Sequence, residues 1–228
     1  MRKSLFIILI LLVLFPFSGP SYAERAWKPV LNKNGITVHS RPLPGSDIDE
    51  LRARAVINAR IEVLGEVLSD VDSHVLWMPD YKEARIIKMS DKDNMLIYVA
   101  MTTPFPVRDR DFIVRASAVR DYRNGVVTLH VKAVQDRLVP YRRGHVRIKK
   151  LTGIWKLRYI DREHTEVIYQ LSVNPGGTIP LSVANYTNRS IPYRTLMGMI
   201  KMSKKPEYLR RAEKSPDRAL VEKYLVKP

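Results

Sequence analysis

The chain has no cysteine among its 228 residues. This excludes a disulfide framework, a thiolate zinc site, a thiol nucleophile and a lipid-modified cysteine anchor. An exported domain without disulfides must rely on its core, which suits a bacterial periplasm better than an animal extracellular space. Catalytic signatures are missing as well: there is no G-x-S-x-G, no P-loop and no G-x-G-x-x-G. His39, His74, His130, His145 and His164 share no HxxxH-like spacing, so neither a metal site nor a cofactor is expected. Acidic residues are scarce, 23 against 39 Lys and Arg. Beyond the N-terminus no stretch is long and apolar enough to span a bilayer, which takes about 20 residues.

The N-terminus has the organisation of an export leader. Arg2 and Lys3 precede an apolar run from Leu5 to Phe17, Gly19 and Pro20 break it, and Ser21-Tyr22-Ala23 offers small residues for cleavage. Residues 1–23 are expected to be a signal peptide, and the remaining 205 or so residues can bury one domain-sized core. Without Arg2 and Lys3, 37 basic against 23 acidic side chains leave a net charge of +14. Such a field favours anionic partners. For an exported protein that partner is an anionic membrane surface, met transiently, and not nucleic acid.

Periodicity divides the rest. Gly35–Arg41 and Leu51–Ile57 alternate apolar and polar residues and read as strands. Ile61, Leu64, Val67 and Leu68 switch to helical spacing, and Trp77-Met-Pro-Asp80 ends that region. Strands follow at 84–89, 94–102, 111–119, 126–134, 146–151, 153–160 and 166–173, with Asn124-Gly125 as a hairpin turn. Pro180 opens a long helix expected to run to about Ser203, kinked or divided at Pro192. Residues 204–228 read as a basic polar tail that Leu220, Tyr224 and Leu225 could dock. The fold class is α+β, a curved antiparallel sheet wrapped around a C-terminal helix with an internal hydrophobic cavity.

Two segments carry the functional reading. Thr103-Pro-Phe-Pro-Val107 is an apolar proline-rich loop running into Arg108-Asp-Arg-Asp111, and Asn174-Pro-Gly-Gly-Thr-Ile-Pro180 is a turn into the helix. Both suit the mouth and lid of an apolar pocket. Period two points Arg110 and Phe112 one way and Asp111 and Ile113 the other. An inward Arg110 could take a phosphate or hydroxyl of a ligand, or serve as a structural ion pair. Tyr98 and Tyr169 offer hydroxyls. Leu196, Met197 and Ile200 make the helix apolar nearly all round, as suits contact with a floppy ligand. Met101, Phe105, Trp155, Ile179 and Val183 complete the expected ligand-facing set. Phe105 and Val107, with Arg142, Arg143, Arg147 and Lys149 on a basic strand, form the expected membrane-docking set.

Four segments, in this order, resemble the START domain family of lipid-transfer proteins: Trp27 with Gly35-Ile-Thr-Val38; Leu68-Ser-Asp70 with Trp77; Pro106-Val-Arg-Asp-Arg-Asp-Phe112; and Asn174–Pro180 with Asn185. The resemblance implies a helix-grip fold, a tunnel for one lipid and no covalent chemistry; separately, the protein is expected to be a monomer. Asn174 departs from it, standing where an acidic residue is more usual. Two rival readings stay open. A helix-grip enzyme of cyclase or hydrolase type would use a cavity histidine or carboxylate, with His130 as the candidate base. A surface-binding or nucleic-acid module would be driven by charge, with affinity that falls steeply in salt.

Overall fold

The computed structural model describes residues 26–43, 48–177, 179 and 189–226. The leader reading and Val183 therefore lie outside the described residues, as does the first half of the expected long helix. The elements are β1 (Lys28–Lys33), β2 (Ile36–Arg41), β3 (Glu50–Asn58), α1 (Ile61–Ser69), β4 (Tyr81–Asp91), β5 (Asn94–Met101), β6 (Asp109–Asp121), β7 (Val126–Ala133), β8 (His145–Arg147), β9 (Lys150–Tyr159), β10 (His164–Asn174), α2 (Ile191–Ser203), α3 (Pro206–Lys214) and α4 (Pro216–Tyr224).

The strands form one sheet in the order β1-β2-β3-β10-β9-β7-β6-β5-β4. Every neighbour in that path is antiparallel. The chain thus joins the first strands to the last, closing β3 onto β10. Such a sheet curves, because each strand is rotated about 20–25° from the next. Leu51, Ala53, Ala55 and Ile57 of β3 are buried on its concave face, while Arg54 and Val56 are exposed. α1 and α2 pack on this face through Val63, Leu64, Val67, Leu196, Met199 and Met202.

Two strands escape the sequence reading. β1 pairs with β2 through Asn34-Gly35, both at positive φ (52° and 74°), the conformation a two-residue hairpin demands. β8 leaves the expected meander and pairs parallel with β6, placing Arg147 beside Asp111. Pro192 neither kinks nor divides α2; it sits in the helix's first turn, where its missing N–H is no loss. Pro206 and Pro216 open α3 and α4 in the same way.

The segment after Ser203 folds back onto the domain. Tyr208 and Ala212 are fully buried in the main core, four apart on one face of α3. The Tyr208 hydroxyl donates to Asp70 (3.1 Å), and Arg211 donates to Asp70 (2.8 Å) and Glu66 (3.1 Å). Val221 and Leu225 dock α4, whereas Leu220 and Tyr224 remain well exposed.

Candidate ligand-binding cavity

The concave face does not close on its helices. An outer chamber of about 1100 Å³ opens between the 103–107 loop, the end of β10 and the first turn of α2. An inner chamber of about 120 Å³ adjoins it beneath α1, toward the far end of the sheet. Met78, Tyr81, Phe112, Leu151, Tyr169 and Leu171 line both and form the waist between them. Inward positions on β6 run Arg110, Phe112, Val114, Ala116, as period two requires. Ala116 and Gly153 are small where the inner chamber lies, and the larger Phe112 stands at the waist. Trp155 and Tyr169 stack with ring centroids 4.0 Å apart, and Trp77 meets Trp155 edge-on at 6.2 Å. Trp155 and Tyr169 form an aromatic side of the inner cavity, with Trp77 packed against Trp155.

Polar groups sit at the ends and the waist. At the mouth, Arg110 is only 2% exposed. It donates to the carbonyls of Gly176 (3.1 Å), Pro175 (3.4 Å) and Arg108. Burial, and then the neighbouring Arg108 charge, hold its guanidinium below its ordinary pKa. Asp80 and Arg194 form a two-pronged pair at 3.0 and 3.1 Å. At the far end Arg120 pairs with Asp93 and Asp217, and Lys92 lies 3.8 Å from Asp217. At the waist, burial pushes the phenols of Tyr81 and Tyr169 well up, so both stay neutral donors.

His74 lines the inner chamber, and its Nε2 lies 3.0 Å from the Leu68 carbonyl. Burial lowers its pKa to about 4, against the favourable pull of that carbonyl, Asp70 and Asp72. Between pH 6.5 and 4 the unfolded chain binds the proton that the folded one refuses, so stability falls as pH falls through this window. The effect approaches about 3 kcal/mol at the acid end. His74→Gln should flatten the denaturation midpoint between pH 4 and 6.5 relative to the parent. An unchanged slope would place the acid sensitivity elsewhere.

The START domain pattern matches residues 17–211. The chain belongs to the START family. It is 29% identical over 199 residues to an uncharacterised protein of Pseudomonas aeruginosa, covering 87% of this chain and 96% of that one. The crystal structure of a STAR-related lipid transfer protein from Xanthomonas axonopodis superimposes with a TM-score of 0.72 at 31% identity, over 78% of this chain and 99% of that one. Human STARD10 shares the fold at 19% identity and a TM-score of 0.72, over 83% of this chain and 82% of that one. The ten-stranded curved sheet with its C-terminal helices is thus the helix-grip fold of this family.

In this START domain the expected residues fall into three groups. Met101, Phe105, Val107, Arg110 and Ile179 line the outer chamber, Trp155 the inner one and Tyr169 both. Tyr98 does not line the cavity. It lies three residues before Met101 on β5, so alternation turns it to the convex face, where it packs with Ile113 and Val139. α2 also corrects the reading of an all-round apolar helix. Leu196 is wholly buried in the core, Ile200 packs against that core and Met197 is 36% exposed. The helix uses one stripe, and only its first turn, with Ile191, Arg194 and Thr195, reaches the mouth.

The basic set divides too. Arg142, Arg143 and Lys149 are exposed, Arg142 pairing with Glu83 (3.0 Å). Arg147 is buried, giving two hydrogen bonds to Asp111 at 2.8 and 2.7 Å, and is no surface cation. His130 is exposed and directly faces Ser117 of β6 across the convex side, away from the cavity. Sequence reasoning missed Tyr81 and His74 as lining residues, and it left Phe112 out of the ligand-facing set although period two put it on the side of Arg110. Tyr81 was readable in principle, because Pro79-Asp80 marks the start of a strand.

Proposed function

We propose that this START domain carries a lipid or other hydrophobic molecule in its two-chamber cavity, by capture and release rather than by covalent chemistry. The observation that supports this most is the cavity itself, an apolar space of about 1100 Å³ reached past an exposed Phe105. Chain carbons buried there supply affinity at about 0.8 kcal/mol per methylene. The 103–107 loop and the first turn of α2, which both border the mouth, form the gate. Arg110 orients the ligand at the mouth, and Tyr169 at the waist. The likeness to the Xanthomonas axonopodis protein, a STAR-related lipid transfer protein, supports the same reading.

The gate is also the proposed membrane contact. Register pairs His145 with Asp109, so Arg142 and Arg143 approach the root of the Phe105 loop. An apolar tip flanked by cations suits brief docking on an anionic bilayer. The leader read in residues 1–23 would place this carrier, as a monomer, in a bacterial periplasm.

Native mass spectrometry of the protein expressed from its full reading frame in an exporting host tests the reading. A stoichiometric adduct that extracts into organic solvent is expected. A clean apo mass, with no uptake from a mixed lipid extract, would sink the carrier reading.

A further inference from the structure

We propose that the ligand is an anionic amphiphile held head-out: its phosphate or carboxylate oxygens meet Arg110 at the mouth, and its chain crosses the waist into the inner chamber. This rests on the carrier reading and assigns its headgroup class and orientation.

The charges lining the cavity decide the orientation. At the far end each charged side chain already has an opposite partner: Arg120 holds Asp93 and Asp217, and Lys92 leans on Asp217. A headgroup placed there would have to displace one of them. At the mouth Arg194 is taken by Asp80, while Asp49 and the exposed Arg189 also line the opening. Arg110 stands apart. It is buried, lines the chamber, and among the described residues its hydrogen-bond partners are three carbonyls and no carboxylate.

Carbonyl dipoles and the through-space pull of Asp109, whose carboxylate is itself paired with Lys82, offset part of the cost of burying this charge, and a ligand anion would offset the rest. Three of the five N–H groups of the guanidinium are used by these carbonyls. The remaining two can form the short, charge-assisted bonds that carboxylates and phosphates accept from an arginine fork.

The rest of the ligand follows the register. Tyr81, Met101 and Arg110 occupy one row across β4, β5 and β6. Tyr81 therefore starts about 10 Å from Arg110, two strand spacings away. Its neutral phenol stands at the waist and can donate to a linkage oxygen just below the headgroup. Beyond the waist the walls turn apolar, with Val114, Ala116, Leu129 and Leu157.

Titrations followed by tryptophan emission test this, since Trp155 lines the inner chamber. The probes share one chain: palmitoyl lysophosphatidic acid, palmitic acid and monopalmitoylglycerol, with inorganic phosphate as the free anion. The two anionic amphiphiles should bind about tenfold tighter than monopalmitoylglycerol, and Arg110→Gln should collapse that ratio. Equal or reversed affinities in the parent protein overturn the inference and leave the carrier reading intact, whereas no binding of any palmitoyl probe removes both. A ratio that survives in Arg110→Gln also overturns it, as does inorganic phosphate that binds as well as the lipid. Should Arg110→Gln not fold, the parent ratio decides the headgroup and Ala116→Leu decides the orientation. Filling the inner chamber should disfavour palmitoyl against lauroyl chains and keep the headgroup ratio. A headgroup ratio that instead changes would mean the head lies inside, against the inference.

Discussion

Asp111→Ala should be among the most damaging single changes in this domain, lowering stability by about 3–5 kcal/mol, the cost of breaking a buried ion pair from one side. The Asp111 carboxylate is 1% exposed and accepts two hydrogen bonds from Arg147, with a third, longer one from the Tyr98 hydroxyl at 3.3 Å. Arg147 continues to the carbonyls of Val139 (3.2 Å) and Pro140 (3.0 Å) and sits 4.9 Å from the Tyr141 ring. Removing the carboxylate leaves this guanidinium buried with carbonyls alone. Chemical denaturation with unchanged slope reads the loss. The double variant Asp111→Leu, Arg147→Met should recover most of it, because an apolar pair of similar volume avoids the desolvation of two ions. A single variant within about 0.5 kcal/mol of the parent, the range of surface substitutions, would mean the pair is not buried as described.

That pair also explains how the mouth is held. It sits on the convex side of β6, one residue from Arg110 on the concave side. By fixing β8 against β6 it fixes the strand from which Arg110 projects. The sequence places acidic and basic residues alternately at 108–111, and alternation alone separates Arg110 from Asp111. It cannot say that Asp111 meets an arginine 36 residues away, because that depends on a parallel pairing by a three-residue strand. The same limit put Arg147 among the surface cations. A strand that short has too few residues to display which face is buried.

Other features were legible, and the misreadings have local causes. Apart from β8, the antiparallel strands from β4 to β10 follow from alternation and turn residues, and β3 turns its apolar positions inward as its pattern demands. β1 is polar at both ends and at the sheet edge, so it has no apolar alternation to announce it, although Asn34-Gly35 marked its hairpin. Tyr98 and Met101 could not both face the ligand, since an odd separation on one strand forbids it. α3 reads as tail by composition, yet Tyr208 and Ala212 are at helical spacing. The cavity could be read as a consequence of fold. Its waist could not, because Tyr81, Phe112 and Tyr169 come from three separate strands.

Gly198→Ala is the second substitution with a large expected effect, and its sign runs against helix propensity. Inside an exposed helix, alanine is worth about 1 kcal/mol over glycine. Here a Cβ on Gly198 would lie 2.4 Å from the Trp77 backbone oxygen and 3.1 Å from the Trp77 Cβ. α2 therefore rests directly on the backbone that follows α1, and that backbone cannot rotate aside as a side chain would. Overpacking costs about 1–3 kcal/mol, at the upper end where backbone must move. A net loss of about 2 kcal/mol, or roughly 5 °C in Tm, is expected. Gly65→Ala supplies the contrast, since a Cβ there meets nothing within 4 Å and the helix-propensity gain stands alone. The two alanines should thus move Tm in opposite directions. Because the first turn of α2 borders the mouth, Gly198→Ala should also speed ligand release, whereas a Gly198→Ala protein as stable as the parent would mean that α2 is not seated on Trp77.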